Sequence, residues 1–200
     1  MKLVKNAAGR FVPTSVNGEK QVPFKGVNKH KPIGNKVSPK ISSCIDFPSD
    51  GNKVVKNLRE ALKKAGLKNG MTISTHHHLR NGDVVTNMLF DTIKSMGIKN
   101  IRWFPSASFP CHEHLIKYLD DGTIHHIEGS MNGPLGRYTT KGKMKGTGVL
   151  RSHGGRYQSI QDGEVKVDIA VVSNFDVRPV AEIEWWLNPY FGFPTKYLSY

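Results

Sequence analysis

The chain has 200 residues, 38% hydrophobic and 22% charged, which suffices for one sizeable core and excludes disorder along the whole length. No apolar run reaches the length of a membrane span, the start lacks a signal peptide, and Cys44 and Cys111 stand too far apart for a disulfide framework or a Cys-rich zinc motif. A reduced, cytoplasmic protein is therefore expected. The net charge of +13 invites a nucleic-acid partner, yet nine lysines and arginines crowd the first forty residues against the single acid Glu19, without the interleaved aromatics that stack bases. Nucleic acid is disfavoured on that ground.

Residues 1–50 carry Pro13, Pro23, Pro32, Pro39 and Pro48, which exclude long helices and predict a basic, extended arm laid over a partner surface. From there Val54, Val55, Leu58, Ala61, Leu62 and Ala65 recur at helical spacing, with Asn52 as the expected cap and Gly66 or Gly70 as the stop. Residues 71–75 read as a buried strand and 76–82 as a polar loop. A helix is expected over 83–96, with Val84, Met88, Leu89, Ile93 and Met96 on its buried stripe and Gly97 beyond its end. The alternation continues with a strand at 100–104, a loop at 105–110, a helix at 111–119 and a strand at 123–127. A glycine-rich loop follows at 129–136, and 165–172 is the most apolar strand. Strands alternating with helices of this length predict an α/β fold with a parallel, doubly wound sheet over residues 51–172. Residues 173–200, rich in Trp and Tyr but without a clear period, read as a divergent aromatic tail outside that fold.

Chemistry concentrates where predicted strands end, which is where parallel sheets place ligands. His76, His77, His78, Arg80, Asn81, Gly82 and Asp83 follow the first strand beside Thr75. Backbone N–H groups at the start of the next helix, with Arg80 and the imidazoles, suit a carboxylate or a thioester carbonyl. Adjacent residues on an extended segment point to opposite faces, so at most His76 and His78 could share one ion, and no metal site is expected. A second loop offers Asn132, Gly133, Gly136 and Arg137, where backbone can approach a ligand closely. A third offers His153, Gly154, Gly155 and Arg156, after Arg151. Cys111 and His112 are neighbours that would not face each other on a helix, which disfavours a Cys/His dyad. Glu128, directly after the 123–127 strand, reads as either a catalytic carboxylate or an ion partner of Arg137. Three anion-suited loops in one α/β domain favour a small acidic molecule, and His76, His78 and Glu128 are the candidate catalytic groups.

The strings ISTHHHLRNGD, IEGSMNGPLG, LRSHGGR and VKVDIAVV, in this order, resemble the alpha chain of bacterial citrate lyase, the citrate CoA-transferase subunit. The resemblance covers roughly residues 23–172. It implies a fold of the coenzyme A transferase type and an exchange of acetyl for citrate on an acyl-carrier-protein thioester, giving citryl-carrier protein and acetate. Partners implied are the beta subunit, which cleaves the citryl thioester, and the acyl-carrier gamma subunit, whose phosphopantetheine-type arm is the only prosthetic group; no tightly bound cofactor of the chain itself is implied. Residues 76–83 would then be the substrate and thioester loop. The family's alpha chains contain a second, related domain that is not found in these 200 residues, and the strand matching VDIAVV here runs into SNFDVRPVAEIEWW. The alternative expectation is accordingly a truncated, noncatalytic interaction domain of the citrate lyase complex.

Overall fold

The computed structural model describes residues 2–26, 54–77 and 79–172, together with the backbone of 196–199. Its centre is a parallel sheet built from Thr72–His76 (β5), Ile101–Pro105 (β6), Ala107–Ser108 (β7), Ile124–Met131 (β8), Gly148–Leu150 (β9), Ile169–Val172 (β10) and Lys196–Ser199 (β11). The order across the sheet is β11-β10-β5-β6-β8, with β7 and β9 also paired to β8. From β5 the chain builds outward through β6 and β8 to β9, then returns to lay β10 on the other side of β5. The direction of winding therefore reverses between β5 and β10, and open parallel sheets bind their ligands in the crevice beyond the carboxyl ends at such a reversal.

Side chains alternate across each strand and so sort themselves onto two faces. Ile73, Trp103, Ile127, Ile169 and Val171 share one core with Leu58–Lys64 (α1), Val85–Ser95 (α2), Ile116–Asp120 (α3) and Leu135 of Pro134–Thr140 (α4). Phe104 and Ala170 point the other way, into a small core with Val165, Val167 and Ile160 of His153–Gln161 (α5). Helices thus cover both faces, as the doubly wound reading requires. Among the described residues no helix is long and apolar enough to cross a membrane.

Several boundaries differ from expectation for identifiable reasons. The expected cap Asn52 lies outside the described residues; α1 begins at Leu58 because Asn57, in extended conformation, accepts a hydrogen bond from the Glu60 N–H. In α2 the buried side is Thr86, Leu89, Phe90 and Ile93; Val84 precedes the helix and is exposed, and Met88 lies off the Thr86–Phe90–Ile93 side and is exposed. Residues 105–110 hold the short strand β7 in place of a loop, and 110–115 wind as a tight 3-10 segment before α3. β8 runs through Met131, so Glu128 sits within the strand. Leu135, Gly136 and Arg137 belong to α4, and 153–161 form α5, where loops were expected. Val165 and Val167 are buried in the small core ahead of β10, which is only Ile169–Val172.

The amino-terminal segment folds as two hairpins, Leu3–Lys5 (β1) with Phe11–Pro13 (β2), and Ser15–Val16 (β3) with Glu19–Lys20 (β4). The second turns at Asn17 and Gly18, both with positive φ, the Asn-Gly geometry of a two-residue hairpin. Asn17 then donates from its side chain to the carbonyls of Met144 and Gly146, at 3.3 and 2.7 Å, fastening the hairpin to the domain. Residues 27–50 of the arm and 51–53 beyond it lie outside the described residues, as do 173–195 of the aromatic tail; the backbone of 196–199 joins the sheet as β11.

Candidate functional site

Because the sheet is parallel, β5, β7, β8 and β9 all deliver their loops to one edge. At the end of β5, Thr75 is turned into the core, where its hydroxyl accepts from the Trp103 indole at 2.9 Å. His76 follows on the opposite face and is exposed, pairing in register with Val172 of β10 at the reversal of winding. His77 is half-buried, its ring 4.5 Å from that of Phe109 and almost perpendicular to it at 83°. Its Nδ1 is buried without a hydrogen-bond partner among the described residues. Burial, then the charge of His76, hold the His77 imidazole below its ordinary pKa, with the nearby Asp83 carboxylate opposing. His78 lies outside the described residues.

Arg80, Asn81 and Gly82 form an exposed 3-10 turn, with Arg80 at a positive φ of 50°. Asp83 turns inward. One of its oxygens accepts from the N–H groups of Val85 and Thr86 at the start of α2, and the other accepts from the Thr86 hydroxyl at 2.8 Å. The second oxygen also lies 3.1 Å from Nε2 of the wholly buried His112. Burial works to raise the Asp83 pKa, but the bonds from His112 and Thr86 outweigh it and hold the carboxyl below its usual range. The 110–115 turn is fastened to this loop twice more: Cys111 N–H donates to the Asn81 side chain at 2.9 Å, and Asn87 donates to the Cys111 carbonyl at 2.8 Å. The Cys111 thiol meets the carbonyls of Arg80 and Asp83, while His112 faces Asp83. Burial, with the Asp83 charge, pushes that thiol above its ordinary pKa, which suits a structural cysteine.

The second loop is Asn132 and Gly133, between β8 and α4. Gly133 adopts a φ of 68° with Pro110 packed where a Cβ would stand, and at Gly136 a Cβ would lie 2.7 Å from the Met131 carbonyl. Asn132 donates its backbone N–H to Ser108, and both Asn132 and Arg137 are exposed. The third segment is the start of α5, where Ser152 caps the helix by accepting from Gly155 N–H at 3.0 Å. His153 and Gly154 are exposed there, and His153 acts electrostatically on His77. Arg156 reaches back under the helix, donating to the Ser74 hydroxyl and the Phe104 carbonyl, with its guanidinium 4.4 Å over the Phe104 ring. Burial lowers its pKa to about 10, opposed by the Glu128 charge. Arg156 thereby ties α5 to β5 and brings the first and third segments together at the crevice.

Glu128 is fully buried in the middle of β8 and is neither a turn residue nor a partner of Arg137. Arg102 and Arg151 each pair with its carboxylate, and His126 Nε2 lies at 3.1 Å. Burial alone would raise its pKa, but the bonds from His126 and Arg102 and the charges of Arg102 and Arg151 hold it down at about 2. The network extends outward to Glu164 through Arg151, and to Glu19 of the hairpin through His126. Sequence reasoning missed this cage and the Asp83–His112 pair. Nothing local in the sequence signals a cage whose members, Arg102, His126, Glu128 and Arg151, come from three different segments.

Among the described residues no group of His, Cys, Asp and Glu side chains is arranged to hold a metal ion. What converges at the crevice is cationic or hydrogen-bond donating: the exposed His76, Arg80 and His153, the amino end of α5, and the half-buried His77 and Arg156. Groups of this kind have the chemistry to hold an anion.

Comparison with known proteins points to one family. A family model described as "Citrate lyase, alpha subunit (CitF)" matches residues 51–181. The citrate lyase alpha chain of Escherichia coli (strain K12) is 38% identical over 134 residues, covering 66% of this chain and 26% of that protein. The alpha chain from Klebsiella pneumoniae is 39% identical over 119 residues, covering 59% and 23%. A Streptococcus mutans crystal structure, described as an alpha subunit of citrate lyase in complex with citrate, superposes with a TM-score of 0.60 at 40% identity. That match covers 63% of this chain and 25% of the other. The chain spans about a quarter of the length of the curated relatives it matches.

Proposed function

The chain belongs to the citrate lyase alpha subunit family, and from that premise we propose that it carries the citrate-receiving part of a citrate CoA-transferase site. The observation that bears most weight is the convergence of the histidine loop and the start of α5 at the reversal of winding between β5 and β10. In this reading a citrate carboxylate oxygen attacks the thioester carbonyl of an acetylated carrier protein. The carrier thiolate leaves and an acetyl-citryl anhydride forms; the thiolate then attacks the citryl carbonyl and acetate departs. Negative charge builds on carbonyl oxygen twice, and donors fixed beforehand lower both barriers. Arg80 and the α5 N–H groups hold citrate carboxylates, the imidazoles of His76 and His77 donate to the reacting oxygens, and Asn132 and Gly133 line the path of the pantetheine arm. His78 remains the other candidate for a direct role, whereas Glu128 serves through its cage of arginines, and the beta subunit and the carrier gamma subunit are the partners.

Two measurements on the 200-residue chain test this. Citrate binding by calorimetry is expected, and Arg80→Ala should weaken it by about 1.5–3 kcal/mol, the range for hydrogen bonds to charged groups. An unaltered affinity in that variant removes Arg80 from the site. Citrate-dependent release of acetate from acetyl-CoA, standing in for the acetylated carrier, tests turnover. The competing reading is a noncatalytic interaction domain, which the exposed apolar residues Leu79, Val84 and Met88 beside the loop favour. It predicts binding of citrate without acetate release.

A further inference from the structure

We infer that Asp83 and His112 are positioning residues of the histidine loop: their buried hydrogen bond fixes the turn that carries Phe109, and the Phe109 ring fixes His77. The inference rests on the proposed citrate site and adds to it the group that sets its geometry.

Asp83 already caps α2 with two backbone bonds and one hydroxyl bond, so a helix cap alone leaves no need for an imidazole. Yet His112 is wholly buried against it. Nδ1 of His112 accepts the Phe109 backbone N–H at 3.0 Å, so the ring hydrogen resides on Nε2 and is donated to Asp83. The Trp103 ring stands edge-on to the imidazole at 6.0 Å and 87°, which fixes its plane. Each end of this buried ring therefore grips a different element: the end of the 76–83 loop through Asp83, and the backbone of Phe109 through Nδ1. The only aromatic contact of Phe109 outside this turn, among the described residues, is His77. A displacement of His112 must thus be felt two contacts away, at the His77 imidazole. Asn81 and Asn87, both bonded to the Cys111 backbone, make the loop and the turn move together. Groups held through such a supporting shell lose function when the shell shifts by a fraction of an ångström.

His77 reports its own position. The charged and titratable groups acting on it come from every neighbouring element: His76 on β5, Asp83 at the loop end, His112 on the 3-10 turn and His153 on α5. The burial that depresses its pKa depends on Phe109 staying in place.

The experiment is histidine-resolved NMR on the full 200-residue chain, with citrate as the probe and circular dichroism to verify folding. In His112→Ala the His77 ring signals should lose the displacement imposed by the Phe109 ring, and its titration midpoint should rise toward the ordinary histidine value. His112→Gln, whose amide can still donate to Asp83, should restore both in part. A folded His112→Ala with unchanged His77 signals overturns the inference. Should His112→Ala not fold, Phe109→Leu decides: His77 should shift in the same way while the His112 Nε2–H signal persists, and an unmoved His77 again overturns it. The citrate titration separates the two ideas. Wild-type shifts that saturate and become about tenfold weaker in His112→Ala support both. A wild type that ignores citrate removes the citrate site, and the His77 signals alone then decide on positioning.

Discussion

On one face of the sheet, Ile73, Trp103, Ile127 and Val171 meet the apolar sides of four helices; on the other, Arg102, Glu128, Arg151 and Arg156 do most of the joining. The first face stabilises by removing apolar surface from water, at about 25 cal/mol per Å². The second has less of that gain, from the small core around Phe104. It buries a carboxylate between two guanidinium groups, an arrangement whose desolvation cost roughly cancels its Coulombic attraction. What the charged face provides is direction, since each of its bonds fixes an element that leads to the crevice. Arg156 holds α5 against β5, Arg151 holds the approach to α5, and His126 meets Glu19 of the hairpin. Apolar burial is thus concentrated on one side of the strands and ion pairing on the other.

That division can be broken by mutation. The largest effect is expected from Phe90→Ala, which empties a fully buried position packed against Trp103 and should cost about 3–5 kcal/mol in urea unfolding, with little dependence on pH. Glu128→Gln should cost somewhat less, about 3 kcal/mol, by leaving two arginines without their carboxylate. Its signature is in pH. Glu128 titrates near 4.5 when unfolded and near 2 when folded, so its contribution is complete above about pH 4.5 and is lost as pH falls toward 2. Unfolding free energy between those limits should fall steeply in the wild type and less steeply in Glu128→Gln; identical slopes would place the stabilisation elsewhere. The smallest effect belongs to the cap of α1: Asn57→Ala should lose about 1 kcal/mol, with the crevice undisturbed.

Much of the apolar face was legible in sequence, because Ile73, Leu89, Ile93 and the strand at 101–104 announce themselves by local period. The start of the histidine loop was legible too, since a β-branched run that stops in polar residues ahead of a helix fixes a strand, a turn and a sheet edge. The charged face was not. Gly154 and Gly155 argue against a helix, each costing about 1 kcal/mol relative to alanine, yet α5 forms because Ser152 caps it and Arg156 anchors it to Ser74 and Phe104. Those anchors lie 82 and 52 residues away, beyond any window of pattern. Glu128 was misplaced for the same reason. Its strand continues through Gly129, Ser130 and Met131, residues of weak β preference held by pairing with β7 and β9.

The reversal of winding also sets an order in time. During synthesis β5 appears early and gains β6 and β8 on one edge soon after, but its other edge waits for β10, whose leading Asp168 binds Thr72 from 96 residues away. Closing so long a loop is slow, and an unpaired strand edge invites pairing with other chains until it is filled. The strand that completes the crevice is therefore also the one that ends this exposure. Newly made chains halted before residue 169 should be the ones that depend on chaperones.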